Sequence, residues 1–204
     1  KSRPLLLATC VQGVTCHKVM NRIINNCEIA VVNEPTYSRN SSDNVRSYKH
    51  EYCRNNDYKH ISAHGVIVGD IEHPDSSAIM LGVGGSTGVH EDSVTFNGNT
   101  IYVAAGDAIF ALDFPSLELK WCRKVDFATC FGVYWLKEYN CLITWGELNV
   151  CRLTEEGREA WSASGPDVFT EGFEIDRGTI KITDFNNDIY HVNIETGDIV
   201  QLNT

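Results

Sequence analysis

The second half of the chain repeats itself about every forty residues, and this period constrains the fold more than any other feature. Residues 101–112 leading to Trp121, residues 142–153 leading to Trp161, and residues 180–192 leading to Val200 and Gln201 align with one another. Leu112, Leu153 and Val192 take matching places, as do Trp121, Trp161 and Gln201. A period of this length marks stacked supersecondary units, none of which can bury its apolar face alone.

Each unit reads as four short strands joined by tight turns. In the first, residues 93–96 alternate, Asn97-Gly98-Asn99 is a hairpin signal, and residues 101–105, 109–112 and 117–121 supply three more strands. The second runs through 131–136, 141–145, 148–153 and 159–161, with turns at 138–140 and 155–157. The third runs through 172–175, 179–183, 188–194 and 198–202, with turns at 176–178 and 196–197. Four strands of about five residues each make one propeller-type blade. Residues 93–204 are therefore expected to form three such repeats.

Residues 1–92 read as an irregular β-rich section of the same single domain, which spans 1–204. Residues 4–11 and 28–32 are apolar runs suited to buried strands. Between them, Val19, Met20, Ile23 and Ile24 recur at helical spacing and predict a short helix over 16–25. Residues 33–60 form a polar interval with loop chemistry at 38–44, anchored by Tyr48, Tyr52 and Tyr58. Residues 65–69 and 78–83 are β runs separated by a turn at 73–77. The expected fold is thus all-β: a propeller-like array of four-stranded antiparallel units, an incomplete or small propeller, behind an irregular β-rich N-terminal section.

Two phrases carry a resemblance. Asp113-Phe114-Pro115-Ser116-Leu117-Glu118-Leu119-Lys120-Trp121 and Asn193-Ile194-Glu195-Thr196-Gly197-Asp198-Ile199-Val200 resemble the quinoprotein-type (PQQ-like) propeller repeat, in which such a phrase closes each blade. The resemblance covers about residues 93–202. Ser116-Leu117 replaces the Thr-Gly of the pattern, and the third unit lacks its tryptophan. It implies the blade fold and no cofactor, since the members that carry quinone have larger closed rings. Three units are fewer than a closed ring needs, so either the N-terminal strands complete a fourth blade or the array is open. The segment Lys124-Val125-Asp126-Phe127-Ala128-Thr129-Cys130-Phe131-Gly132 resembles uncharacterised bacterial proteins encoded beside polymorphic toxins, which implies an immunity role.

Charge and cysteines narrow the function. The net charge is −10, split as +4 over residues 1–60 and −14 over residues 61–204. Such a field repels phosphate backbones and attracts basic proteins, so a nucleic-acid partner is not expected. No apolar run reaches the ~20 residues of a membrane span, and no membrane partner is expected. The eight cysteines include no C-x-x-C pair, and a chain this long needs no staples, so reduced thiols in a cytoplasm are expected.

No stretch identifies a reaction. The glycine-rich stretch 82–88 lacks the Lys-Ser/Thr of a P-loop and reads as a tight bend. His64, His90, Glu91 and Asp92 are the groups for a metal-assisted hydrolase, the rival reading, which requires them to converge. The favoured reading is a non-catalytic module that binds a basic protein, in its sharpest form an immunity protein that neutralises a basic toxin domain through an acidic face. Its candidate partner-binding residues are Trp135, Trp145, Glu147, Asp167, Glu171, Glu174 and Asp184, because tryptophan beside carboxylates combines an anchor with electrostatic steering. Trp121 and Trp161 hold repeat positions and are expected to pack between blades.

Overall fold

A computed structural model describes residues 19–24, 27–54 and 59–202. Among these residues there is no α-helix, and no helix long and apolar enough to cross a membrane. The predicted strand at 4–11 lies outside the described residues. The predicted helix does not form: Val19–Ile24 is β1, paired antiparallel with β2 (Cys27–Asn33). The reason is tertiary. The valine, methionine and isoleucines there match helical spacing, but a β-branched segment beside a ready strand gains more from the ladder than from an isolated turn of helix.

The N-terminal sheet is more regular than its sequence. It has the order β1-β2-β4-β5-β3, with β3 at His50–Cys53, β4 at Ser62–Gly69 and β5 at Pro74–Gly82. Strands β1, β2, β4 and β5 form an antiparallel meander, as in the repeats. The polar interval is an insertion between its second and third strands. From this insertion β3 returns to pair parallel with β5 and adds a fifth, outermost strand. The N-terminal strands therefore build a fourth blade with an extra edge.

The three repeats have the predicted strands. The first is β6 (Val94–Asn97), β7 (Thr100–Ala105), β8 (Ala108–Asp113) and β9 (Leu119–Lys124). The second is β10 (Cys130–Leu136), β11 (Cys141–Gly146), β12 (Val150–Leu153) and β13 (Glu159–Ala163). The third is β14 (Gly172–Asp176), β15 (Thr179–Thr183), β16 (Ile189–Asn193) and β17 (Ile199–Leu202). In each, consecutive strands are neighbours in one antiparallel sheet.

Three apolar seams join the four sheets face to face. Ile29, Val31, Val66 and Met80 of the N-terminal sheet meet Val103, Phe110 and Leu112 of the first repeat. Tyr102 and Ile109 meet Val133, Leu142 and Leu153, and Ile143 and Val150 meet Ile180, Ile182 and Val192. At the outer edge the closing aromatics lock each seam as expected. Trp121 donates its indole N–H to Glu155 O at 2.9 Å, and Trp161 to Ile194 O at 3.0 Å, one repeat further on. Gly157 and Gly197, both at positive φ, leave the space those rings fill. Tyr52 on β3 serves the first repeat in the same way: its hydroxyl donates to Leu117 O and accepts from Leu119 N.

The arc stays open. The far face of the N-terminal sheet is covered by its own insertion, through Tyr37 and Tyr48. There Glu34, only 2% exposed, accepts from Arg46 and from the Tyr48 hydroxyl. The far face of the third repeat presents Glu174, Lys181 and His191 in one cross-strand row, beside a shallow depression of about 350 Å³. Among the described residues no apolar cluster joins the third repeat to the N-terminal sheet.

Candidate functional site: the acidic rim

Antiparallel meanders send alternate connections to opposite ends of the sheets. One end gathers the turns β7–β8, β11–β12 and β15–β16, together with the segments that lead from one sheet to the next. Backbone hydrogen bonds stitch these loops into a continuous rim. Asp107 N donates to Val83 O at 2.7 Å, Glu147 N to Thr129 O at 2.7 Å, and Phe185 N to Val168 O at 2.8 Å. From the other side Val125 N donates to Asp107 O at 3.0 Å, and Phe169 N to Glu147 O at 2.7 Å. The glycine-rich bend belongs to this stitching: a Cβ at Gly84 would collide with Ala128 O, and one at Gly85 with the Thr129 hydroxyl.

Buried carboxylates pin the rim from within. Asp126, 1% exposed, accepts four backbone N–H groups: Ala128 and Thr129 on Oδ1, Leu148 and Asn149 on Oδ2. Asp184 accepts Asn186 N and Asp188 N on Oδ1 and the Tyr190 hydroxyl on Oδ2. Burial, and then that bond, push the Tyr190 phenol up to about 12. Asp107 receives Arg54 through two guanidinium nitrogens, at 2.9 and 2.8 Å. Buried carboxylates are tolerated because backbone amides or a guanidinium satisfy their oxygens.

The rim loops of the second and third repeats carry carboxylates, with the Lys124 ammonium at their margin. The four rim loops of the second and third repeats, residues 126–129, 146–149, 164–171 and 184–188, hold six carboxylates and no lysine or arginine. Asp126 and Asp184 are buried, which leaves Glu147, Asp167, Glu171 and Asp188 to set the outward field. Two phenylalanines stand among them, Phe127 at 77% and Phe185 at 64% exposure. The Lys124 ammonium lies over the Phe127 ring, 4.3 Å from its centre. The opposite end is mixed in sign, with Lys137, Arg158 and Arg177 among its acidic turns.

The candidate residues divide accordingly. Glu147, Asp167 and Glu171 sit together on the rim; Asp167 accepts from Asn186 Nδ2 at 2.6 Å and Glu171 from the Thr170 hydroxyl. Asp184 shares that rim but is 0% exposed, so its carboxylate holds a turn and meets no partner. Trp145 lies beneath, half-buried, donating its indole N–H to Phe169 O at 3.0 Å. Trp135 stacks on Tyr102 in the seam between the first and second repeats, with ring centres 6.3 Å apart. Glu174 lies apart on the open face of the third repeat. Phe127 and Phe185 were not singled out by sequence; each follows a buried aspartate, one in the connection from β9 to β10 and the other in the β15–β16 turn, and the repeated Asp-Phe pair was the available signal.

The rival metal site does not assemble. His64 is fully buried, with Nδ1 2.8 Å from Ala104 O and Nε2 3.1 Å from Thr87 O. Burial pushes its pKa down. The His90 side chain instead caps the 3-10 turn Glu91–Ser93, accepting from Asp92 N. Among the described residues no three histidine, cysteine or carboxylate groups converge as metal ligands.

Comparison with known proteins places the fold. No family model matches the chain, and no curated protein matches it. Solved structures do match. The computationally designed protein Ika8 aligns at 12% identity and a TM-score of 0.54, over 90% of this chain and 48% of its own. A chain of the mitotic checkpoint complex aligns at 12% identity and a TM-score of 0.51, over 92% and 64%. The WD40 domain of Neurospora crassa Pan2 aligns at 12% identity and a TM-score of 0.45, over 55% and 38%. The chain thus spans about half the length of the designed protein. Likeness to the first two, at such identities, is one of fold alone; the successive four-stranded antiparallel meanders make that fold an incomplete β-propeller.

Proposed function

We propose that this chain is a non-catalytic protein-binding module whose acidic rim receives a basic protein. The observation that carries the reading is the run of rim loops in the second and third repeats, which hold the exposed Glu171, the half-buried Glu147, Asp167 and Asp188 and two exposed phenylalanines and contain no lysine or arginine. Aromatic anchors bury area while the surrounding charge steers encounter and selects the sign of the partner. Open propeller layers suit this role because the sheets fix the loops rigidly.

In its sharpest form the partner is a toxin domain and the chain its bacterial immunity protein. The supports are the −14 balance of residues 61–204 and the resemblance of residues 124–132. A cytoplasmic location belongs to the same proposal, and the free thiols of Cys27, Cys53, Cys122, Cys130, Cys141 and Cys151 are in keeping with it. Affinity capture from the native host, at low and high salt, tests the reading. A basic protein should be retained at low salt, released as salt rises, and lost from the Glu147→Gln/Glu171→Gln double variant. Capture of no basic protein, or capture insensitive to salt and to both substitutions, refutes it.

A further inference from the structure

The inner mouth of the seam between the second and third repeats carries four aromatic rings in continuous contact. Phe131 meets Trp145 edge-on at 5.2 Å, Trp145 stacks on Phe173 at 5.3 Å, and Phe173 stacks on Tyr134 at 4.9 Å. All four are half-buried, and three of them come from β10 and β14, the innermost strands of their sheets. In a closed ring these strands would face a narrow axial channel; in an open arc they face outward along a concave wall.

Carboxylates gather at the rim end of this strip. A Cβ at Gly132 would lie 3.0 Å from the Tyr134 hydroxyl and 3.1 Å from Asp92 Cβ, so Asp92 stands directly beside that end. Burial and then Asp92 push the Tyr134 phenol up. Glu147 follows Trp145 by two residues and Glu171 precedes Phe173 by two, and the turn that carries Asp92 leads into β6 as residues 164–171 lead into β14, so all three carboxylates belong to the rim end of the strip. Half-buried aromatic rings with carboxylates at one end favour one cation above others. Guanidinium is planar, weakly hydrated and forked, so it stacks on a ring while it hydrogen-bonds a carboxylate; ammonium is a hydrated point charge.

We infer that this aromatic strip is an arginine-reading site, at which the basic partner lays a guanidinium on Phe131, Trp145, Phe173 or Tyr134 and pairs it with Asp92 or a rim carboxylate. The inference rests on the acidic-rim reading and names the side chain that rim is built to receive.

Titration of the full chain with hexa-arginine and with hexa-lysine, followed by tryptophan fluorescence, separates the two ideas. Hexa-arginine should bind at least about fivefold tighter, the ratio that about 1 kcal/mol of stacking produces. Phe131→Leu and Phe173→Leu keep apolar volume and remove the π face. Each should erase that preference and leave hexa-lysine binding unchanged. Equal binding of the two peptides by the unaltered chain, or a preference that survives both substitutions, overturns the arginine site and leaves the acidic rim standing. Binding of neither peptide overturns both.

Discussion

Substituting Asp126 by asparagine tests whether the rim is held together from inside. The substitution changes one oxygen to an NH₂ group and almost nothing in volume. In the native loop each carboxylate oxygen takes two backbone amides: Ala128 and Thr129 on one, Leu148 and Asn149 on the other. Asparagine can serve only one pair. Its NH₂ must face the other pair donor to donor. A hydrogen bond to a charged group contributes about 1.5–3 kcal/mol, so two lost bonds cost about 3–6 kcal/mol. The site offers no simple rearrangement, because Gly146 packs against Oδ2 so closely that even a Cβ there would collide with it. Total stabilities of single domains are about 5–15 kcal/mol, so the change removes a large share.

Urea unfolding of Asp126→Asn, Asp126→Ala and Glu171→Gln gives the measurement. Asp126→Ala strands all four amides rather than two and should be at least as destabilised as Asp126→Asn. Glu171 is an exposed member of the same rim, and its substitution should stay within about 0.5 kcal/mol of the parent. Amide exchange should accelerate at Leu148 and Asn149 in the asparagine variant before it does in the strands. An asparagine variant as stable as the parent, with those amides still protected, would refute the account of the rim as a pinned structure.

Three further outcomes follow from the same geometry. Gly157→Ala should destabilise more than Gly98→Ala in thermal melts. Both carry the left-handed penalty of about 1–2 kcal/mol, but only at Gly157 does the new Cβ meet Trp121, at 2.7 Å, whereas Gly98 has open space; equal losses would mean that the tryptophan lock contributes nothing. His64 has a folded pKa below its unfolded value, so the unfolded chain binds the extra proton and stability falls as pH drops through about 6.5, by at most about 1.4 kcal/mol per pH unit. His64→Gln should flatten that slope in urea melts between pH 7.5 and 5, and an unchanged slope would assign it elsewhere. Burial pushes the Cys122 thiol up to about 12 and raises Cys130 and Cys151 as well, so these three should resist thiol reagents at pH 8 until denaturant is added; immediate labelling of all three in the native protein would contradict their placement in the seams.

What was legible in the sequence is what repetition and alternation encode. The twelve strands of the repeats follow from hairpin residues and a forty-residue period, because each turn residue acts locally and each blade poses the same packing problem. The N-terminal blade was harder for a physical reason: its second and third strands are separated by an insertion that donates a parallel edge strand, and neither period nor turn chemistry announces a partner that far along the chain. Residues 19–24 misled because apolar spacing over so few residues fits helix and strand alike, and the decision was made by β2. The site shows the same division. Glu147, Asp167 and Glu171 could be expected on the rim because rim loops are where turn residues fall. Asp184 was misassigned because burial in a turn depends on which backbone amides lie within reach, and these belong to Asn186 and Asp188 only once the loop is folded. Asp126 and Asp184 each precede an exposed phenylalanine, and in both places the buried carboxylate gathers the following amides so that the next side chain is turned out. One device thus fixes the loop and presents its aromatic ring. The stability of this rim and the presentation of its rings are coupled through the same two aspartates.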